Sequence, residues 1–293
     1  MLTYENCKLC PRQCGVDRMH GERGFCQMPA ELTLARAMLH HGEEPVISGA
    51  KGTGAVFFSG CTLRCCFCQN ADISVGGRGI TVTAAHLREI FERLIRQGAE
   101  TIDLVTPTQF IPSILPALTP KLPVPVVMNC GGYERVETLR KLEGKIDVYL
   151  PDLKYADNVL AAKLSHAPNY FEAATSAIFE MYRQTGSAVI ENGILRRGVI
   201  IRHLVLPGHL NNTLRVIEWV AEAFPKHDVL FSLMSQYVPM GMQTPPLNRT
   251  LTQEEYDGAV SWMELCGVTN GYTQEFSSAT TELLPDFNFE GLY

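Results

Sequence analysis

The stretch AVFFSGCTLRCCFCQN, residues 55–70, joins a short apolar run to a loop crowded with cysteine. Ala55–Ser59 is brief, β-prone and apolar on both faces, which reads as a buried strand. Directly after it Cys61, Cys65 and Cys68 stand in the spacing C-x3-C-x2-C. Thiolates suit iron–sulfur clusters, and a cubane has four irons, so three cysteines on a tight loop ligate three of them and leave one iron open. A structural zinc site, or a chance group of core cysteines, is the competing reading. Zinc wants a fourth protein ligand, and the neighbourhood offers only Cys66, which falls outside the spacing and reads as a small hydrophobic bystander.

Outward from that loop, apolar runs alternate with helical patterns. After Ala55–Ser59 come a helix over about 84–97, the run Thr101–Thr106, a helix after Gln109, and Val124–Met128. A helix from Tyr133 to about Leu142, the run Asp147–Leu150, helical stretches through about Tyr182, Val199–Leu206, a helix over 212–224 and Val229–Met234 complete the series. Six nearly continuous apolar strands separated by helices call for a parallel sheet covered by helices. A doubly wound open sheet is the alternative. The strands end in chemically rich turns, however (SGC, TPT, NCGG, PDLK, LPG, SQY), as in a barrel whose site lies at the C-terminal strand ends. The expectation is therefore an α/β fold, a partial (β/α)6 TIM-like barrel over residues 51–240. A Cys-rich segment, 1–50, precedes it, and a C-terminal extension, 241–293, with a helix over 253–266, packs on it.

The chain has 293 residues, 46% hydrophobic and 19% charged, with a formal charge of −6. That is an ordinary globular composition, and the acidic balance disfavours a nucleic-acid partner. No window approaches a membrane span and the first residues do not resemble a secretion signal, so the expected compartment is the cytoplasm. Ten cysteines in that compartment are read as metal or redox chemistry, and eight of them fall in two groups. The second group, Cys7, Cys10, Cys14 and Cys26, has the spacing C-x2-C-x3-C-x11-C in a segment poor in core formers. Four thiolates make a closed site. Either a zinc staple or a second [4Fe-4S] cluster, acting as electron relay or substrate anchor, fits it.

The cysteine loop closely resembles that of the radical S-adenosylmethionine (radical SAM) enzymes, including the aromatic residue, Phe67, before the last cysteine. VYLPDLKY (148–155) and VIIRHLVLPG (199–208), with CKLCPRQCGVDR (7–18) and SLMSQYVP (232–239), resemble the homologues of pyruvate formate-lyase activating enzyme, in a branch whose substrate is unassigned. The resemblance covers nearly the whole chain. It implies a [4Fe-4S] cluster on Cys61, Cys65 and Cys68, SAM on the open iron, and Phe67 near the adenine. It further implies Asp152 and Lys154 on the SAM-facing side, Asn129 on the preceding strand end, and Arg202 near the SAM carboxylate or ribose. An electron donor such as flavodoxin or ferredoxin and a glycyl radical enzyme or peptide substrate follow from the same likeness. Where those enzymes carry a Gly-Gly-Glu-like turn, this chain has Thr106-Pro107-Thr108-Gln109; Thr106 and Thr108 are assigned to the SAM amino group there.

Elementary geometry adds that Asp152 and Lys154, two apart on a strand, share a face and can pair with each other. A structural salt bridge at the barrel rim is the plainer alternative. Cys130 reads as a buried hydrophobic thiol, Gly131 and Gly132 as a turn or close approach, and His203 as turned away from Arg202 toward a helix. Gln236 and Tyr237 end the sixth strand, where they contact ligand or simply pack. The leading function is generation of a 5′-deoxyadenosyl radical acting on a protein or peptide. Radical modification of a small metabolite, a non-catalytic iron–sulfur electron carrier and a zinc-stapled binding module are the competitors.

Overall fold

The computed structural model describes residues 3–276 and 285–293. The first strand of the sheet is one the periodicity did not single out: β1, Leu32–His40, inside the Cys-rich segment. It pairs antiparallel with β2, Thr53–Phe58, running from Leu34 opposite Phe58 to His40 opposite Thr53. β3, Ile80–Val82, pairs antiparallel with the other side of β1. The remaining strands are β4 (Ile102–Val105), β5 (Val126–Cys130), β6 (Val148–Pro151), β7 (Val189–Glu191), β8 (Ile194–Leu204), β9 (Leu230–Met234) and β10 (Gly271–Thr273). The order across the sheet is β10-β9-β8-β6-β5-β4-β2-β1-β3, with β7 hairpinned onto β8. From β2 to β9 every neighbour is parallel, and β10 continues parallel to β9.

Side chains alternate strictly between two cores, which shows how the sheet curls. Val126, Met128, Tyr149, Val199, Ile201 and Phe231 pack outward against the helices. Val127, Val148, Leu150, Ile200 and Leu230 pack inward, and they close on Val46 and Ile47 from the turn before β2. That turn plugs the interior, so the barrel is a packed core below and a polar layer above, not a pore. β3 and β10 remain unpaired to each other among the described residues, and the barrel is partial. The tail 285–293 lies along its β1–β2 side, where Phe287 meets Phe57 edge-on at 5.5 Å and the Ala37 amide donates to the Glu290 carbonyl at 3.1 Å. Sheet pairing thus crosses both residue 50 and residue 240. The part of the expected extension at 277–284 lies outside the described residues.

The helix Ala84–Arg96 shows why the periodic reading works where it does. Thr83 caps it by accepting the His86 amide, and Leu87, Ile90, Phe91 and Leu94 form its buried stripe. Three elements depart from expectation for local reasons. The helix after Gln109 is reduced to short turns over 108–118, since Pro112 and Pro116 interrupt the amide ladder. The helix placed at Tyr133 begins only at Val136, because the chain first passes through Gly132 at φ 78°, where a Cβ would lie 2.1 Å from the Asp152 carbonyl. β8 starts five residues early because Asn192 and Gly193, both at positive φ, turn it back on β7.

His203 is buried on the outward face of β8, its Nδ1 donating to the Leu153 carbonyl and its Nε2 accepting from the Thr213 hydroxyl on the helix Leu210–Ala223. Burial holds its pKa at about 4, below the ordinary 6.5, so the folded state keeps it neutral while the unfolded chain protonates. A depressed pKa on a base means stability present above pH 6.5 and lost as pH falls toward 4. We expect His203→Gln to destabilise the protein more at pH 7 than at pH 4.5, the difference being about 3 kcal/mol at most. Urea midpoints at both pH values check it; parallel losses at the two would contradict the assignment.

Candidate active site

β2 delivers the cysteine loop to the C-terminal mouth of the barrel through Gly60, at φ 76°. A side chain there would meet Met28 and come within 2.9 Å of the Cys26 carbonyl, so only glycine lets the N-terminal segment lie against this turn. Each expected ligand has a donor aimed at its sulfur. The Leu63 amide points to Cys61 at 3.4 Å, the Ser165 hydroxyl to Cys65 at 2.9 Å and the Ser74 hydroxyl to Cys68 at 3.3 Å. Ser165 is in turn 2.6 Å from the Tyr155 hydroxyl, which frees its own proton for the sulfur. Cys66 is different: its side chain is exposed and its amide is spent on the Leu164 carbonyl at 2.9 Å.

Burial raises the Cys61 thiol and carries Cys65 to about 12, while the Lys154 ammonium opposes the rise at both. Buried thiols with donors to sulfur and a cation beside them are a set that becomes thiolate when a metal takes the sulfurs. No group of three or more His, Cys, Asp or Glu among the described residues is placed to hold a single metal ion. Three thiols suit a cluster whose irons share the ligands, since a structural zinc wants a fourth protein ligand.

Beneath the loop lies an ion network that links four strands and the plug. Lys154 pairs with Asp152. Arg202 donates from Nε to Asp152 at 2.9 Å, from one terminal nitrogen to Glu43 at 3.1 Å and from the other to Asn129 at 2.6 Å. Asn129 donates to Glu43 at 3.1 Å and to Asp103 at 3.2 Å. Burial alone would raise Asp152, but Arg202 and Lys154 outweigh it and its carboxyl sits below the usual range. Burial, then the facing Glu43, pushes Asp103 well above its usual value, and its Oδ1 has no partner. Burial and the facing Glu43 thus favour the protonated acid at Asp103, against the opposing pull of Asn129 and Arg202.

Asp152, Lys154, Asn129 and Arg202 thus stand together at the strand ends, with Asp152 and Lys154 paired. All three guanidinium nitrogens of Arg202 are engaged by protein partners. Phe67 is buried against Tyr237 at 6.0 Å, and Gln69 ties the loop to the Gln236 carbonyl at 3.0 Å. Thr106 holds a left-handed φ of 59°, unusual for a β-branched residue. The Thr108 hydroxyl turns away from the loop and donates to Glu134 at 2.9 Å, while Gln109 donates to the carbonyls of Ser59 and Thr106, both at 2.8 Å. Glu134 is buried, which lifts its pKa to about 8, and one of its oxygens is unpartnered. Glu43, Asp103, Glu134 and the donors Ser74 and Ser165 were missed in the sequence. Only Asp103, a charge inside the apolar run TIDLV, carried a signal there.

No family model matches the chain. It is 32% identical over 276 residues to the uncharacterized protein MJ0674 of Methanocaldococcus jannaschii, covering 89% of this chain and 75% of that protein. Among solved structures it superposes on SuiB of Streptococcus suis bound to the precursor peptide SuiA, with a TM-score of 0.52 and 12% identity over 75% of this chain and 48% of SuiB. For SuiB bound to S-adenosylmethionine the TM-score is 0.51 and the identity 14%, over 78% of this chain and 52% of SuiB. The chain spans about half the length of SuiB, and the likeness shows a shared fold. No helix among the described residues is long and apolar enough to cross a membrane.

The network makes Arg202 costly to remove, because Asp152 and Glu43 would stay buried with less compensation. Arg202→Met is expected to lower unfolding free energy by about 3–5 kcal/mol. Equilibrium urea unfolding measures it, and a loss under about 1 kcal/mol would show the charges to be solvated rather than mutually held.

Proposed function

We propose a function from two premises: the chain belongs to the family of the M. jannaschii protein, and it is built on the radical SAM fold. The reading is of a radical SAM enzyme that acts on a protein or peptide. The observation that carries it is the loop itself, with three thiols at the mouth of a partial barrel, each facing a hydrogen-bond donor, and a fourth set apart in solvent. When bound, a [4Fe-4S] cluster with SAM on its open iron supplies one-electron cleavage of SAM to methionine and a 5′-deoxyadenosyl radical.

The chain's own residues prepare that site. Cys61, Cys65 and Cys68 hold the metal, and Leu63, Ser165 and Ser74 stabilise the charge on their sulfurs. Lys154 places an ammonium beside the thiolates, and Asp152 keeps it charged: burial alone would depress Lys154, yet the pair leaves it raised. Phe67 and Tyr237 offer an apolar wall suited to a nucleoside base, and the backbone around Thr106 offers acceptors to an ammonium. Asn129 and Arg202 set the floor of the chamber and hold the strand ends in place.

A macromolecular substrate is supported by an open surface trough lined by Asp157, Lys163, His209 and Asn212 among others, with Lys163 next to the Leu164 carbonyl that takes the Cys66 amide. SuiB, described in complex with a precursor peptide, presents the same fold. A glycyl radical enzyme is the narrower form of this proposal, and flavodoxin or ferredoxin is the class of donor it needs. A cytoplasmic enzyme is the corresponding proposal for its place in the cell.

Anaerobically reconstituted protein should be brown. Cys61→Ala, Cys65→Ala and Cys68→Ala should each lose the SAM-responsive cluster and SAM cleavage, while Cys66→Ala keeps both. Loss of cleavage in Cys66→Ala alone, with one of the other three silent, overturns the ligand set. For the substrate, deuterium-labelled proteins, peptides and metabolites are incubated with enzyme, SAM and reductant. Deuterium in 5′-deoxyadenosine is expected from a protein or peptide; transfer only from a free metabolite refutes the macromolecular reading.

A further inference from the structure

The N-terminal segment gathers its four cysteines. Cys7, Cys10, Cys14 and Cys26 line a single small cavity, and none is in a disulfide. The backbone is tied around it by amides: Cys7 donates to the Val16 carbonyl at 3.0 Å, Gly15 to Cys7 at 3.0 Å and Gln13 to Cys10 at 3.1 Å. The Phe25 amide points at the Cys14 sulfur, 3.4 Å away, and Gly24 leaves room for that sulfur, since a Cβ there would stand 2.9 Å from it. Beyond this the segment has only a small core of Tyr4, Cys7, Leu9 and Ala30.

Arg18 supplies the second observation. It is 1% exposed, among the largest fully buried side chains, yet it has no carboxylate partner among the described residues. Its guanidinium donates to the carbonyls of Met28 (3.1 Å), Gln109 (2.7 Å) and Pro29, and one terminal nitrogen lies 3.7 Å from the Cys7 sulfur. It also stacks over Tyr4 at 4.5 Å. A buried guanidinium surrounded only by neutral groups carries an uncompensated charge, which is costly unless an anion stands beside it. Four metal-bound thiolates with a net negative charge are that anion.

The cavity also shares a wall with the cysteine loop of the barrel. Thr62, between Cys61 and Leu63, lines it, and its carbonyl accepts from Arg12 Nε at 2.9 Å. Gly60 leaves the space the Cys26 carbonyl needs, since a Cβ there would stand 2.9 Å from it, and Arg64 reaches the Phe25 carbonyl at 3.3 Å. We infer that Cys7, Cys10, Cys14 and Cys26 ligate a second, fully coordinated four-iron cluster, neutralised by Arg18 and adjacent to the first. Zinc on the same four thiolates would only staple the segment, whereas a redox-active centre that shares a wall with the cysteine loop can serve it. Contiguity gives the centre a use. One electron taken from a flavodoxin- or ferredoxin-type donor reduces it, and passing that electron to the neighbouring loop restores its oxidised state.

The inference rests on the radical SAM reading only for its neighbour, and the test separates the two. The variant Cys61→Ala/Cys65→Ala/Cys68→Ala, reconstituted anaerobically, is expected to retain about four irons and four sulfides per chain, with a reduced-state EPR signal indifferent to SAM. Iron-free protein with one zinc, or with no metal, overturns the inference. Should that variant fail to fold, Cys7→Ser/Cys10→Ser/Cys14→Ser/Cys26→Ser is compared with the parent, and iron should fall from about eight to about four per chain. Unchanged iron overturns it equally. Reduced parent protein should show a broadened, spin-coupled EPR spectrum that neither variant shows; a simple sum of the two variants' spectra refutes adjacency. A retained N-terminal cluster beside a loop that never responds to SAM would instead defeat the proposed function and leave this centre standing. Arg18→Met in the three-alanine background should lower iron occupancy and Arg18→Lys restore part of it; equal occupancy in both removes Arg18 from the site.

Discussion

The guanidinium of Arg202 holds the mouth of the barrel together. From one side chain on β8 it reaches Asp152 at the end of β6, Asn129 at the end of β5 and Glu43 from the plug. Its charge is what allows Asp152 to stay ionised in a dry interior, and Asp152 in turn keeps Lys154 charged beside the cysteine sulfurs. The same dry interior, with Glu43 facing it, pushes the Asp103 carboxyl well above its usual range, and Arg202 only partly opposes that rise. The chemistry at the top of the barrel thus depends on a charge balance fixed below it.

The plug explains how so polar a layer is affordable. Val46 and Ile47 seal the lower interior against Val127, Val148, Ile200 and Leu230, so the ion network sits on an apolar floor and every charge in it must find a protein partner. On the helix side, His203 and Tyr170 lock the same strand ends. The Tyr170 hydroxyl lies 2.8 Å from the Gly131 carbonyl and 2.7 Å from that of Asp152, and it accepts the Lys154 amide at 2.9 Å. Strand ends braced from both faces give the cysteine loop a rigid seat.

Much of this was legible in the chain. The six parallel strands, the helix Ala84–Arg96 and the cysteine spacing are local patterns, set by periodicity or by ligand chemistry, and they appear where those patterns place them. β1 was not, although LTLARAMLH is largely apolar, because its neighbours are cysteine-rich and its pairing partner lies beyond a plug that breaks the pattern. The β7–β8 hairpin was not read either, although Asn192 and Gly193 are the residues that turn it. The helices after Gln109 and at Tyr133 were overcalled, since Pro112, Pro116 and the tight approach at Gly132 outweigh helical propensity there.

What the sequence determined by itself was the kind of chemistry: three cysteines on a strand-end loop, four more in a core-poor segment, and charged residues at the ends of apolar strands. Those are choices of ligand and position that no packing can supply. What only the tertiary structure decided was which charges meet. Glu43 and Arg202 stand 159 residues apart and Arg18 and Gln109 stand 91 apart, and each pair is joined only once the sheet curls and the N-terminal segment folds onto its rim. Spacing along a chain prescribes contacts only within a few residues. Beyond that, partners are chosen by the demand that every buried charge be compensated, and that demand exists only after burial.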